Sequence, residues 1–182
     1  YSMKQSISEG FTLDVLQNYT TYKRYFKLNK KVNEDKELPE SKVKSMLVKW
    51  VDLHPHTITE KVRIILDHFV NHTSNKLEGK SRGMLVTKSR LHCVKYKLEF
   101  DKQMKEMDLP YRSLVGFSGT VNDIDTHQDY TESSMNGVPE TQTEVSLKEP
   151  QFRILIVNNK FQTGFDEPML HTMYVDKKFG GL

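Results

Sequence analysis

FRILIV, residues 152–157, is the stretch on which the fold turns. It reads as a continuous apolar strand, the pattern expected when helices cover both faces of a parallel sheet. Met84, Leu85, Val86 and Thr87 give a second short apolar strand. Residues 114–118 (LVGFS) give a third, and 172–175 (TMYV) a fourth. Between the strands at 84–87 and 114–118, Ser89 stands where an N-cap belongs, and a long helix is expected to about Met107, with Pro110 beyond its end. Upstream, Ile58, Val62, Ile65, Leu66 and Phe69 recur at helical spacing after Pro55. Thr57 and Glu60 have capping-box spacing at the start of that helix. It should stop before the polar run 75–82. Strand, helix, strand, crossover, strand, loop, strand is the grammar of a three-layer α/β domain with a mainly parallel sheet.

The remaining segments are less regular. Residues 8–16 suit a short helix, and the aromatic-rich 19–28 suits a strand. Residues 29–40 are charged and read as a loop, and 41–51 read as a short helix with Val43, Met46, Leu47 and Trp50 on one face. Residues 1–55 are therefore expected to form an N-terminal extension of the domain at 56–182. Residues 119–150 are polar with few core candidates, and read as an insertion or long loop with one short helix.

Composition narrows the class. A length of 182 residues suffices for one domain with a real core. Charged residues are 28 % and the net charge is +3, which permits a local basic face without announcing one. The longest apolar runs are too short for a bilayer, and no signal-peptide pattern opens the chain. Cys93 is the single cysteine, so a reducing, cytoplasmic setting is expected. The start Tyr1-Ser2-Met3 and the end Gly180-Gly181-Leu182 look like the edges of a fragment.

In open parallel sheets ligands collect at the carboxyl ends of the strands. Three segments are expected there: Lys88-Ser89-Arg90, Ser118-Gly119-Thr120, and residues 158–168. Ser89 is a helix cap, and the helix start it closes also suits an anion, with Lys88 and Arg90 assisting. Ser118-Gly119-Thr120 is a tight turn on its simplest reading, and small polar turns also grip phosphates. Gly164 allows close backbone approach to a phosphate. Asp166, two residues on, either orients a ribose hydroxyl, water or arginine, or caps the turn before Pro168.

The wording of the chain is more specific than these features. NKFQTGFDEP followed by LHTMYVDK resembles the R, or motor, subunit of type I restriction-modification enzymes. So do GFTLDVLQNYTTYKRYFKL at 10–28, MLVTKSRLHCVKYK at 84–97, and LVGFSGTV with the later YTESSMNG. The resemblance implies a RecA-like second helicase lobe of superfamily 2. Residues 84–90 would be motif IV, Ser118, Gly119 and Thr120 a DNA-phosphate loop, and Thr163, Gly164 and Asp166 motif V, linking DNA to nucleotide. It further implies ATP and Mg2+ as cofactors and double-stranded DNA as substrate. The implied partners are the methyltransferase and specificity subunits, and the first RecA-like lobe and nuclease domain of the same polypeptide. The sequence carries no G-x-x-x-x-G-K-[ST] loop, no Asp-Glu pair of the Walker B type and no nuclease constellation. The arginine-bearing motif VI would follow Leu182. Alone, the fragment is expected neither to hydrolyse ATP nor to cut DNA. Two other functions fit the same wording: another superfamily 2 translocase, or a lobe that only binds DNA or partners.

Other motifs have plainer readings. His68 and His72 have the spacing of a metal pair, but Phe69 stands where a zinc protease has glutamate, so no metal site is expected. Asp123, Asp125 and Asp129 lack the glycine and terminal glutamate of a calcium loop. Cys93 lies among Val94, Tyr96 and Phe100, as a core residue would. Tyr19, Tyr22, Tyr25 and Phe26 interleave with Lys23, Arg24 and Lys27, which suits a nucleic-acid platform or an ordinary amphipathic strand.

Overall fold

A computed structural model describes residues 52–161 and 165–177. The elements expected within 1–51, including the aromatic-rich strand and the helix at 41–51, lie outside the described residues.

Helix α1 spans Pro55–His68. Proline at the first helical position loses nothing, since its missing N–H would have had no partner there. The His54 side chain caps the helix by accepting from the His56 amide at 3.3 Å. The expected capping box is therefore not used: the helix starts earlier, and Glu60 pairs with Arg63 at 3.1 Å instead. Ile58, Val62, Ile65 and Leu66 are buried as their spacing required. The helix widens into a π-helical turn over Phe69–Thr73, where the Ser74 amide reaches back to the Phe69 carbonyl at 2.7 Å.

Strand β1 (Arg82–Thr87) leads through Ser89 into helix α2 (Arg90–Glu106) and then strand β2 (Arg112–Gly116). Strands β3 (Val121–Asp123) and β4 (Gln128–Tyr130) form an antiparallel hairpin. Short helices α3 (Glu132–Asn136) and α4 (Thr143–Leu147) flank a 3-10 turn at Glu140–Gln142. Strands β5 (Phe152–Val157) and β6 (Leu170–Asp176) follow, and a four-residue helical segment, Lys76–Gly79, precedes β1.

The main sheet has the order β2-β5-β1-β6, and every pairing in it is parallel. Alternation along each strand sends side chains to opposite faces. Met84, Val86, Leu114, Leu155 and Val157 share one face with Leu147 of α4, and Phe161, Phe165 and Leu170 pack against them. The opposite face receives α1 and α2, and Phe69 closes to 3.4 Å of where a side chain on Gly83 would begin. All six residues of β1 and of β5 are buried. The fold is α/β, with the helix-sheet-helix layering expected of a RecA-like domain.

Two expectations need correcting. Strand β2 ends at Gly116, not at Ser118, because the Phe117 amide leaves the ladder to donate to the Glu132 carboxylate at 2.9 Å. The segment at 119–150 is not a long loop with one helix but a hairpin, two helices and a 3-10 turn. Polar side chains build it where apolar ones are scarce. Asp123 accepts from the Asp125 amide at 3.2 Å and from the Thr126 hydroxyl at 3.0 Å, closing the hairpin turn. Thr131 and Ser134 form a reciprocal capping box on α3. Asn136 both donates to and accepts from the Val115 backbone at 2.8 Å, standing in for a neighbouring strand at the outer edge of β2.

Candidate functional site at the carboxyl edge of the sheet

The carboxyl ends of the four strands are Thr87, Gly116, Val157 and Asp176. Ser89 caps α2, accepting from the His92 amide at 3.3 Å, and its hydroxyl also meets His92 Nδ1 at 2.8 Å. The His92 ring is buried. Its Nε2 is the buried side-chain nitrogen or oxygen without a partner among the described residues. Burial holds the His92 pKa below its ordinary value, with Asp176 only partly offsetting that effect.

Arg90 donates from Nη1 to the Ser118 carbonyl at 2.9 Å. The contact joins the start of α2 to the turn at 118–120. Gly119 has a φ of +77°, and a side chain there would begin 3.1 Å from Arg90 Nη1. Glycine thus serves both the backbone conformation and the close approach. One of the five arginine N–H donors is spent on the turn.

Lys88 is differently placed. It forms an ion pair with Asp52. Lys61 lies 2.8 Å from Asp176 and 3.9 Å from Asp52, so two lysines meet two aspartates. Tyr96 adds a hydrogen bond to Asp176 at 2.6 Å. Burial alone would raise the Asp176 carboxyl pKa, but the Lys61 and Tyr96 hydrogen bonds outweigh it and hold the group below the usual range.

The turn after β5 is the busiest part of this edge. The Asn158 side chain donates to the Thr87 carbonyl at 3.0 Å, and its amide donates to the Gly116 carbonyl at 3.1 Å. Asn159 accepts from Lys177 at 2.9 Å. Lys160 reaches both oxygens of Glu132, at 3.0 and 3.1 Å, and Glu140 at 2.7 Å. Asn159 and Phe161 hold left-handed φ values of 60° and 62°. Such a backbone is unfavourable for a bulky residue and persists where packing over-determines it. Phe161 lies on Gly116, where an added methyl would stand 2.6 Å from the ring.

From there the chain leaves the edge. Phe161 and Phe165 meet in a tilted ring contact, centroids 5.0 Å apart, on the sheet face. Glu167 is buried against Arg82 at 3.3 Å, at the amino end of β1. Only the first part of 158–168 therefore lies at the carboxyl edge. Asp166 is exposed, next in sequence to a residue anchored at the opposite edge. Thr163 and Gly164 lie outside the described residues. The structure brings Ser89, Arg90 and the 118–120 turn together, and leaves Asp166 apart from them.

The secondary candidates resolve simply. His68 Nδ1 meets the Tyr174 hydroxyl at 3.0 Å, and its ring is 5.2 Å from that of His72. Among the described residues, no group of three His, Cys, Asp or Glu is placed to hold a metal ion. Lys95 occupies the space between Asp123 and Asp125, at 2.8 and 2.9 Å. Cys93 is buried, and burial pushes its thiol up to about 12, far from a nucleophile's range. Among the described residues, no helix is long and apolar enough to cross a membrane.

Residues 111–181 match the family model for type I restriction enzyme subunit R domain 3. Over these residues the chain is similar to the R subunits of type I restriction enzymes. Along 96 % of its length it is 24 % identical to a Methanocaldococcus jannaschii protein named as the endonuclease subunit of the type I restriction enzyme MjaVIIIP, covering 19 % of that relative. A second protein of that organism, named for the enzyme MjaVIIP, is 28 % identical over 80 % of the chain and is covered over 14 % of its length. The chain spans less than a fifth of either relative. The R-subunit match contains the 118–120 turn, Glu132, Lys160 and Asp166, while Lys88, Ser89 and Arg90 precede it.

Asn158, Asn159 and Lys160 fall within the segment expected at the carboxyl edge but are not singled out by the sequence, and Glu132 is not marked at all. Asn-Asn-Lys directly follows a buried parallel strand, which is why that segment is expected at the edge. Nothing in the spacing marks Glu132 as buried.

Proposed function

We propose that this chain is the second motor lobe of an ATP-dependent double-stranded DNA translocase, part of the R subunit of a type I restriction enzyme. The observation that carries the reading is the Arg90–Ser118 contact, which joins a capped helix start to a glycine turn at the carboxyl edge of a parallel sheet. A cation, helix amides and small hydroxyls gathered there suit a DNA phosphate. In this reading Arg90, Ser89, Ser118, Gly119 and Thr120 hold phosphates, with Lys88 joining on exchange from Asp52 and Thr163 from the following motif. Gly164 and Asp166 report nucleotide state. Closure on the first lobe around ATP converts hydrolysis into stepwise grip on DNA, mainly by positioning and charge stabilisation.

The described residues do not themselves fit a magnesium site, since Asp52 and Asp176 are engaged by lysines and Glu132 by Lys160. ATP and Mg2+ are assigned mainly to the first lobe. The methyltransferase and specificity subunits, the first lobe and the nuclease domain are the partners in this reading, and the cytoplasm is the compartment.

Asp166 favours a second reading, a lobe that binds DNA without sensing nucleotide, because it is exposed beside the buried Arg82–Glu167 pair rather than at the carboxyl edge. DNA-stimulated ATP hydrolysis by the full-length subunit, assembled with its methyltransferase partners, separates the two. The motor reading expects Asp166→Ala to lose turnover with the fold intact. Unchanged turnover removes Asp166 from the mechanism and leaves a DNA clamp.

A further inference from the structure

Glu132 is almost completely buried in a polar segment that supplies little to the core. A carboxylate in such a place is costly unless every oxygen is matched. Here each is. One oxygen takes the Phe117 amide at 2.9 Å, the other takes the Thr143 hydroxyl at 2.6 Å, and Lys160 lies on both. Phe117 immediately precedes the 118–120 turn. Lys160 is the middle of the 158–161 turn, and Thr143 begins α4. A single side chain thus holds the entrance to one strand-end turn, the body of another, and the insertion between them. Asn158 adds a backbone link by donating to the Gly116 carbonyl at 3.1 Å.

We propose that Glu132 is a positioning residue that locks the 118–120 and 158–161 turns into one rigid unit, so that the insertion at 119–150 sets the placement of the DNA-phosphate loop relative to the turn after β5. Such a tie adds to the β2–β5 ladder and the Asn158–Gly116 bond, which end where the two turns begin. The geometric tie stands on its own, whereas its consequence for DNA rests on the motor-lobe reading.

Amide hydrogen exchange in the chain tests the tie. Lys160→Met removes the cation and leaves Glu132 its bonds to Phe117 and Thr143, with the loss of stability followed by denaturant unfolding, and Glu132→Gln, which buries no charge, is the second variant. Exchange at the Asn158 and Phe117 amides should rise together by about tenfold, with Leu155 in the centre of β5 unchanged. Glu132→Gln should do the same. A rise at Asn158 alone, with Phe117 unaffected in Lys160→Met, means that the turns are independent and overturns the proposal. In the full-length subunit, both variants should raise the DNA concentration for half-maximal ATPase stimulation by about tenfold while keeping the maximal rate within about twofold. A parallel fall in rate and in DNA response marks general destabilisation and also overturns it. If wild-type turnover proves insensitive to DNA, the motor reading fails, and the exchange measurement still decides the tie.

Discussion

The two edges of the sheet use the same kinds of residue for opposite ends. At the amino edge, Arg82 and Arg153 are 5 % and 6 % exposed, and their charge is consumed internally. Arg82 meets Glu167 and the carbonyls of Phe152 and Lys148, while Arg153 donates to Ser81 and Ser74 carbonyls and lies over the Tyr111 ring at 5.0 Å. At the carboxyl edge, Arg90 is exposed and gives one hydrogen bond to a turn. A buried guanidinium bonded within the fold builds it, whereas a tethered and exposed one is positioned for a partner. Residue type alone does not distinguish them; placement along the strand does.

The largest expected effect comes from breaking the amino-edge pair. Arg82→Ala leaves the Glu167 carboxylate buried without its cation, and should cost roughly 3–5 kcal/mol of stability by denaturant unfolding. If Arg82→Ala unfolds no more easily than Arg90→Ala, the contrast between the edges collapses. Next is Gly116→Ala, which drives a methyl to 2.6 Å from the Phe161 ring and should cost roughly 1–3 kcal/mol. Its signature is displacement of Phe161, read as loosened exchange over 158–161 with the Arg82 environment intact.

A smaller effect belongs to pH. His92 has its pKa lowered by burial, so the unfolded chain takes up the proton first as pH falls. Stability from neutral His92 is complete above the unfolded value near 6.5 and declines below it, down to the lowered folded value. His92→Asn should flatten the fall in stability between about pH 7 and pH 5. A residual slope remains from His68, whose pKa is also lowered, by burial and then by His72. An unaltered slope in the variant would mean that the ring is hydrated in the folded protein.

The same contrast explains what could be read from sequence. The parallel sheet, the Ser89-capped helix and the core stripe of α1 were legible, because apolar periodicity and caps are local signals. The start of α1 was misplaced, since Thr57 and Glu60 satisfy the capping-box spacing while Pro55 and His54 satisfy the backbone better. The insertion was opaque for a physical reason. Its order comes from Glu132, Asn136 and Asp123 bonding to groups far away in sequence, and no periodicity encodes such contacts. For the site, the 88–90 and 118–120 segments were correctly assigned to the carboxyl edge. Asp166 was not, because 12 residues separate β5 from β6 and the chain must return across the sheet within them.

Salt dependence of duplex DNA binding tests the carboxyl-edge interface most directly, comparing wild type, Arg90→Ala and Arg63→Ala, the last an exposed arginine on α1 paired with Glu60. Arg90→Ala should weaken binding across unrelated sequences and reduce the slope of log K against log salt by about 1, with Arg63→Ala matching wild type. Equal slopes for all three would contradict a phosphate contact at this edge.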